Sequence, residues 1–206
     1  MDYETLKIDY QQMYRDSLKS IISSQDVVST IRANMDILIS IIPEIVPMIG
    51  FDHMHPHHHL DVWEHTLLAM SFAPGEEFDT RLALLFHDIG KPHSWSQDSS
   101  VRHFYNHANV SERICRAALD RLGYNQKYTD EICDIVKHHD DALTKKDIDE
   151  DRARAIKLFK VQICDSLAHN PEKNQKRLQY IEDITSMLND VEYIPNDLSP
   201  EEKYND

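Results

Sequence analysis

The chain has 206 residues, 41% of them apolar and 28% charged, with 4 glycines, 8 prolines and 13 histidines. The glycines stand at 50, 75, 90 and 123, so neither a GxGxxG fingerprint nor a phosphate-binding P-loop can be written. A net charge of −14 argues against long nucleic acid as a partner, because phosphate contacts need Lys and Arg.

No apolar run reaches the ~18 residues that a membrane span requires. The opening MDYETLKIDYQQ is acidic and polar, unlike a signal peptide. Cys115, Cys133 and Cys164 are far apart and form no CxxC pair, the pattern of buried thiols in a reducing cytoplasm. These features predict a cytoplasmic protein with a core of ordinary size, one domain over residues 1–206.

Apolar residues recur with the period of a helix along most of the chain. The first helix is predicted over 4–23, and a second, capped by Asp26, runs to about Ile42, where Pro43 and Pro47 interrupt it. Residues 50–60, GFDHMHPHHHL, read as a loop, and Asp61 can cap a helix over 62–72. After the break PGEE, Asp79 starts TRLALLFHD, apolar on nearly every side and so predicted to be central. Gly90 and Pro92 end it, in the usual order.

A polar loop over 93–103 leads to an amphipathic helix over 107–122, ended by Gly123. Thr129 or Asp130 is the expected cap of the next helix, which reaches His138 and His139. Residues 141–150 read as a charged loop, 151–169 as a long helix, and Pro171 as the first residue of a last helix to about Leu188. The acidic, Pro-containing tail is expected to be extended or frayed. The fold class is all-α, with about seven to nine helices.

Helical spacing also says which polar residues face inward. His65 shares a face with Leu68, Ala69 and Phe72, His107 with Val110, Ile114 and Ala117, and His139 with Ile132, Ile135 and Val136. Asp165 lies on the stripe of Leu158, Val161 and Ala168, and His87 and Asp88 end the most apolar helix. Six polar groups on apolar faces are costly unless something satisfies them. Imidazoles with carboxylates suit a first-row transition ion, and the lack of Cys ligands argues against a closed structural zinc site. An open His/Asp site points to metal-assisted hydrolysis.

Those residues resemble a known family. His65 in DVWEHT, His87 and Asp88 in ALLFHDIGKP, and Asp165 in VQICDSLAHN reproduce the H…HD…D signature of the HD-domain metal-dependent phosphohydrolases. FYNHANVSERI and VKHHD resemble the extra-histidine segments of two-metal members. The likeness is in particular to the HD domain attached to bacterial tRNA nucleotidyltransferases, and covers about residues 57–170. Outside it lie the helices of 4–42 and the segment 171–206, read as extra packing or a homodimer contact.

The resemblance implies one metal held by His65, His87, Asp88 and Asp165. Asp88 then bridges to a second, held by His107 and one of His138 and His139. Periodicity favours His139 as the ligand, which leaves His138 to touch substrate. The resemblance also gives Lys91 a role facing the substrate phosphate, a role that a cap on the helix dipole would equally explain, and gives His58 a supporting or phosphate-contact role. The cofactor is one or two divalent ions from Mn, Fe, Co, Ni or Zn. The substrate is a phosphate mono- or diester of a small metabolite or nucleotide. The alternative is a regulatory nucleotide-binding module or an accessory partner in tRNA metabolism. The remaining histidines of the HMHPHHHL run, His53, His55, His57 and His59, are read as surface residues.

Overall fold

Helices begin where the sequence offers a side chain to accept an otherwise unpaired N–H. The computed structural model describes residues 3–188, so the acidic tail lies outside the described residues. Helix α1 spans Tyr3–Ile22, α2 Val27–Ala33 and α3 Met35–Ile41. Asp26 caps α2 by accepting from Ser29 N at 3.0 Å. The single helix expected from 26 to 42 is divided at Asn34, whose side chain donates to Thr30 O at 2.8 Å and competes with the backbone ladder. A 3-10 segment, Pro43–Met48, follows.

Asp61 caps α4, Val62–Phe72, by accepting from Glu64 N at 2.8 Å, and α5 spans Phe78–His87. Helix α6 covers His107–Arg121, and α7 covers Gln126–His138. The cap of α7 is Asn125, which accepts from Tyr128 N at 3.0 Å, rather than Thr129 or Asp130; Thr129 is fully buried. The expected loop over 141–150 contains α8, Lys145–Glu150, nucleated by a Thr144–Asp147 capping box. Helix α9 is Arg152–Leu167 and α10 is Gln175–Leu188. Pro171 opens a short 3-10 turn, Pro171–Lys173, rather than α10 itself. Ten α-helices therefore stand among the described residues, above the expected range because short α3 and α8 carry too little periodicity to be counted.

Helix α5 lies at the centre, against α4, α6, α7 and α9. Every residue from Thr80 to His87 is buried, and removing one such Leu side chain costs ~2–5 kcal/mol. Arg81 is the exception in chemistry: fully buried, it donates to Ala73 O at 2.8 Å, Ile22 O at 2.7 Å and Ser24 O at 2.6 Å. One guanidinium thus satisfies carbonyls at the ends of both α1 and α4 and joins them to the central helix.

Two short segments depart from helix. Within the expected polar loop, strands β1, Ser96–Asp98, and β2, Val101–His103, form an antiparallel hairpin with Ser96 opposite His103. Its tight turn places Ser99 at φ 54°. An isolated bridge joins Asp52 to Asp61 and pinches off the His-rich loop. Among the described residues no helix is long and apolar enough to cross a membrane, and the three cysteines are free and buried.

Candidate metal centre

The polar groups that the sequence aims inward converge at the C-terminal end of α5. His65 comes from the middle of α4, His87 and Asp88 from the end of α5, His107 from the first position of α6, His139 from the end of α7, and Asp165 from α9. Close packing at Gly90 brings α6 into range. A Cβ there would stand 2.4 Å from His107 O and 2.6 Å from Ser111 N, and Gly90 N donates to Ser111 Oγ at 2.9 Å. A larger residue at 90 would push His107 away from Asp88.

Asp88 is fully buried and uses its two oxygens in opposite directions. Oδ2 lies 3.3 Å from His87 Nε2 and 3.8 Å from His65 Nε2. Oδ1 lies 3.4 Å from His107 Nε2 and 3.8 Å from His139 Nε2. Asp165 Oδ1 closes the first group, 2.9 Å from His65 Nε2 and 3.5 Å from His87 Nε2. Lys91 Nζ donates to Asp88 Oδ2 at 2.6 Å.

The other ring nitrogens decide what these Nε2 atoms can do. Nδ1 of His65, His87, His107 and His139 approaches the backbone carbonyl of Ala168, Leu84, Phe104 and Val136 at 3.2, 2.6, 2.8 and 2.7 Å, respectively. A carbonyl only accepts, so each Nδ1 carries a proton, and Nε2 is the ring nitrogen left to face the centre and to ligate a cation there. Three of the four carbonyls lie three residues before their histidine, at a helix end or the turn into one, where main-chain oxygens are free.

The donor set fits a cation. His87 Nε2 and Asp88 Oδ1 are buried with no hydrogen-bond partner, and His107 Nε2 faces His139 Nε2 at 3.2 Å. Ligand atoms of His65, His87 and Asp88, and separately of Asp88, His107 and His139, lie within 4.8 Å of one another. His65, Asp165 and His169 form a third such cluster. There, however, His169 Nδ1 donates to Asp165 O at 2.8 Å, which makes that nitrogen a poorer ligand.

Burial and charge act on these groups in different directions. Burial would lower His87, but the Asp88 and Asp165 carboxylates beside it raise it to about 10. Burial would raise Asp88, but His87 and Lys91 hold it well below the usual carboxylate range. Burial dominates at His107 and lowers it to about 4, so its neutral form prevails at pH 7.

A cavity of about 230 Å³ opens onto the centre, with Asp88, Lys91, His107, His139 and Asp165 on its wall. His65 and His87 stand behind that wall. His58 also lines it, with its ring stacked on His53 at 3.7 Å and its Nδ1 buried without a partner. A larger, more apolar groove of about 640 Å³ between Pro43–Pro47 and α6 contains none of the buried His/Asp clusters.

His138 is not brought to the centre. Its Nδ1 pairs with Asp141 at 2.6 Å and its Nε2 lies 3.6 Å from Asp134. Neighbouring residues on a helix point ~100° apart, so His139 facing inward turns His138 to the surface. This corrects the expectation that His138 touches substrate. The reading of His53 as a surface residue is also corrected: it is 1% exposed, and its Nε2 lies 3.2 Å from Lys91 Nζ.

The bridge at Asp52 makes the local backbone extended, and alternation then turns His53 inward; no helical period could signal this. Three further groups escaped the sequence reading. Asp140 Oδ2 lies 3.3 Å from His107 Nε2, Arg177 Nη1 lies 3.1 Å from Asp165 Oδ2, and His169 is buried beside Asp165. His169 was visible in principle, four residues after Asp165 on one helical face.

The family model for the HD domain matches residues 57–184, more than half of the chain, and the protein belongs to the HD-domain family. Among curated proteins it is similar to a CC-adding tRNA nucleotidyltransferase of Thermus thermophilus, 35% identical over 111 residues, which is 51% of this chain and 25% of that protein. It is also similar to an A-adding tRNA nucleotidyltransferase of Deinococcus radiodurans, 28% identical over 131 residues, 57% of this chain and 30% of that one. The chain therefore spans less than a third of the length of these relatives. The match reaches into α10 and takes in Arg177, beyond the limit of 170 expected from sequence.

Proposed function

We propose that the protein is a metal-dependent phosphohydrolase that cleaves a phosphate mono- or diester of a small metabolite or nucleotide. The observation that carries this reading is the divided use of the Asp88 carboxylate, with one oxygen toward His65 and His87 and the other toward His107 and His139. In it, His65, His87, Asp88 and Asp165 hold one divalent transition ion, and Asp88, His107 and His139 hold a second. Such ions supply Lewis acidity that activates water and stabilises charge on phosphoryl oxygens.

The chain's own groups do the rest. Lys91 Nζ, on the cavity wall beside Asp88, stabilises charge developing on the phosphoryl oxygens. Water attacks phosphorus, the ester P–O bond breaks, and the leaving oxygen takes a proton from solvent, to which the proton lost by the attacking water is in turn released. Asp140, 42% exposed at the cavity and 3.3 Å from His107 Nε2, is placed to accept the proton of the attacking water. His58 and Arg177 on the same wall orient the anion. Three cations there (Lys91, Arg102, Arg177) face three carboxylates (Asp88, Asp140, Asp165), so bound divalent ions make the cavity positive in a chain of charge −14.

The test is hydrolysis of p-nitrophenyl phosphate, its bis-ester and a nucleotide panel by purified protein with Mn²⁺, Co²⁺ or Ni²⁺. Full activity in the double variant His87→Ala, Asp88→Ala would overturn the site. The names of the relatives favour a second reading, a non-catalytic or regulatory module acting in tRNA metabolism. Binding of tRNA at physiological salt without ester turnover supports that reading; the net charge argues against such binding. We place the protein in the cytoplasm on its free cysteines, and a homodimer contact, if formed, on the flanking helices.

A further inference from the structure

The turn leaving the β-hairpin gives the cavity an asymmetric rim. Phe104 turns inward, edge-on to His53 at 6.0 Å and beneath Lys91 Nζ at 5.5 Å. Its carbonyl is also held by His107, from both the backbone N–H and Nδ1. With Phe104 anchored, the next residue is forced outward. Tyr105 is 87% exposed, the most exposed large apolar side chain among the described residues. Its ring is parallel to that of His103, at 5.3 Å and 8°, and both rings line the cavity. Beside them the Arg102 guanidinium rests over both Phe51 and Trp95, 4.6 and 4.7 Å from the centroids of two rings that meet edge-on at 6.4 Å.

The cavity is too small to enclose most organic esters. Its volume of about 230 Å³ lies below the ~300–1,000 Å³ of pockets that bury a drug-sized ligand. It has room for a phosphate and part of a sugar, and the rest of any larger ester must lie over the rim. There it meets an open aromatic face held in plane by a second ring, next to a fixed cation.

We propose that this rim is a base-stacking subsite and that the ester cleaved at the metal centre is a nucleoside phosphate, with its base on the open face of Tyr105. The inference rests on the phosphohydrolase reading above and deepens it from phosphate esters in general to those that carry a planar base. A sugar phosphate without a base leaves the Tyr105 face in water and gains nothing from it. Base-on-aromatic stacking is tolerant of base identity, so the subsite selects nucleotides as a class.

The experiment compares 5′-AMP and 3′-AMP with ribose 5-phosphate. Equilibrium binding is measured by calorimetry on EDTA-treated protein, and kcat and KM are measured on Mn²⁺-loaded protein. Wild type should prefer at least one AMP isomer over the sugar phosphate by ~5- to ~150-fold, the range that alanine substitution of a stacking aromatic removes. Tyr105→Ala should abolish that preference in binding and in KM, leave kcat and the ribose 5-phosphate values unchanged, and fold normally, because the side chain is exposed. Tyr105→Phe should retain the preference.

An AMP to ribose phosphate ratio unchanged by Tyr105→Ala would overturn the subsite while leaving the hydrolase reading intact. A Tyr105-dependent preference in binding with no turnover of any ester would support the subsite as a nucleotide-binding site and overturn the hydrolase reading. Failure to bind or cleave all three compounds would overturn the subsite, and the hydrolase reading with it when p-nitrophenyl phosphate and its bis-ester also stay intact.

Discussion

His107 and His139 point their Nε2 atoms at each other across 3.2 Å, while each Nδ1 is committed to a backbone carbonyl. Two facing lone pairs repel, and a shared cation is the simplest group to reconcile them, with Asp88 Oδ1 as the third ligand. Mn²⁺-loaded wild-type protein should therefore carry about two ions per chain by elemental analysis. His107→Ala should carry about one, and Asp88→Ala fewer than one, since Asp88 serves both groups. Two ions retained in His107→Ala would show that the second group is not a metal site.

Lys91 and Asp88 are both buried, and their contact at 2.6 Å partly compensates the carboxylate when no ion is present. Lys91→Ala leaves that charge without its ammonium partner, so EDTA-treated protein should lose ~3–5 kcal/mol of stability in urea unfolding. Metal-loaded protein should lose much less. Its kcat should nevertheless fall ~10²- to 10³-fold, the scale of losing one stabiliser of transition-state charge, with KM changed less.

The two adjacent histidines at the end of α7 should separate cleanly. His138 makes only surface pairs with Asp141 and Asp134, and His138→Ala should keep activity within ~2-fold and stability within ~0.5 kcal/mol. His139→Ala should cost at least ~100-fold in kcat/KM and the second ion. Equal losses in the two variants would contradict the orientation of the helix end.

Acid should weaken the metal-free protein before its carboxylates titrate. His53 is lowered to about 4 and His169 to about 3, mainly by burial, and His58 is lowered further for the same reason. Each has a folded pKa below its unfolded value of ~6.5, so below that pH the unfolded chain binds more protons. Their contribution is thus level above pH ~6.5 and falls as pH drops, by up to ~1.4 kcal/mol per unit for each ring until its folded pKa is reached. His87, raised to about 10, has the opposite sign: its stabilisation is complete below ~6.5 and declines as pH rises toward 10. Urea titrations in EDTA from pH 8 to 4 should show the acid loss, and His58→Ala should make it shallower.

Arg81 supports the architecture and touches none of the metal centre. Arg81→Met keeps the length of the side chain but removes the donors to Ala73, Ile22 and Ser24. Leaving buried carbonyls unpaired costs ~1–3 kcal/mol each, so the variant should lose at least ~3 kcal/mol in urea unfolding. Any folded fraction should still bind metal.

Much of this was legible in the chain alone. Helical period and caps such as Asp26 and Asp61 follow from local chemistry, because a cap acts over three residues and a buried stripe repeats every turn. The same period turned His65, His107, His139 and Asp165 inward, and the HD doublet with its flanking motifs pointed to the family. Residues without a period were not legible. His53 is inward only because the Asp52–Asp61 bridge makes its segment extended, and α8 exists through one capping box within a charged run. The burial of Arg81 in its apolar helix is explained by the carbonyls at the ends of α1 and α4 that accept from it.

By itself, then, the sequence determined that the chain is helical, which faces are buried, and which residue types gather on them, since all three depend on neighbours within one or two turns. The tertiary structure decided which of those residues meet. It brought Asp140, His169 and Arg177 to the centre, turned His53 inward and set Tyr105 on the rim. These are contacts between segments distant in sequence, fixed by how helices pack around α5 and by how closely α6 approaches Gly90.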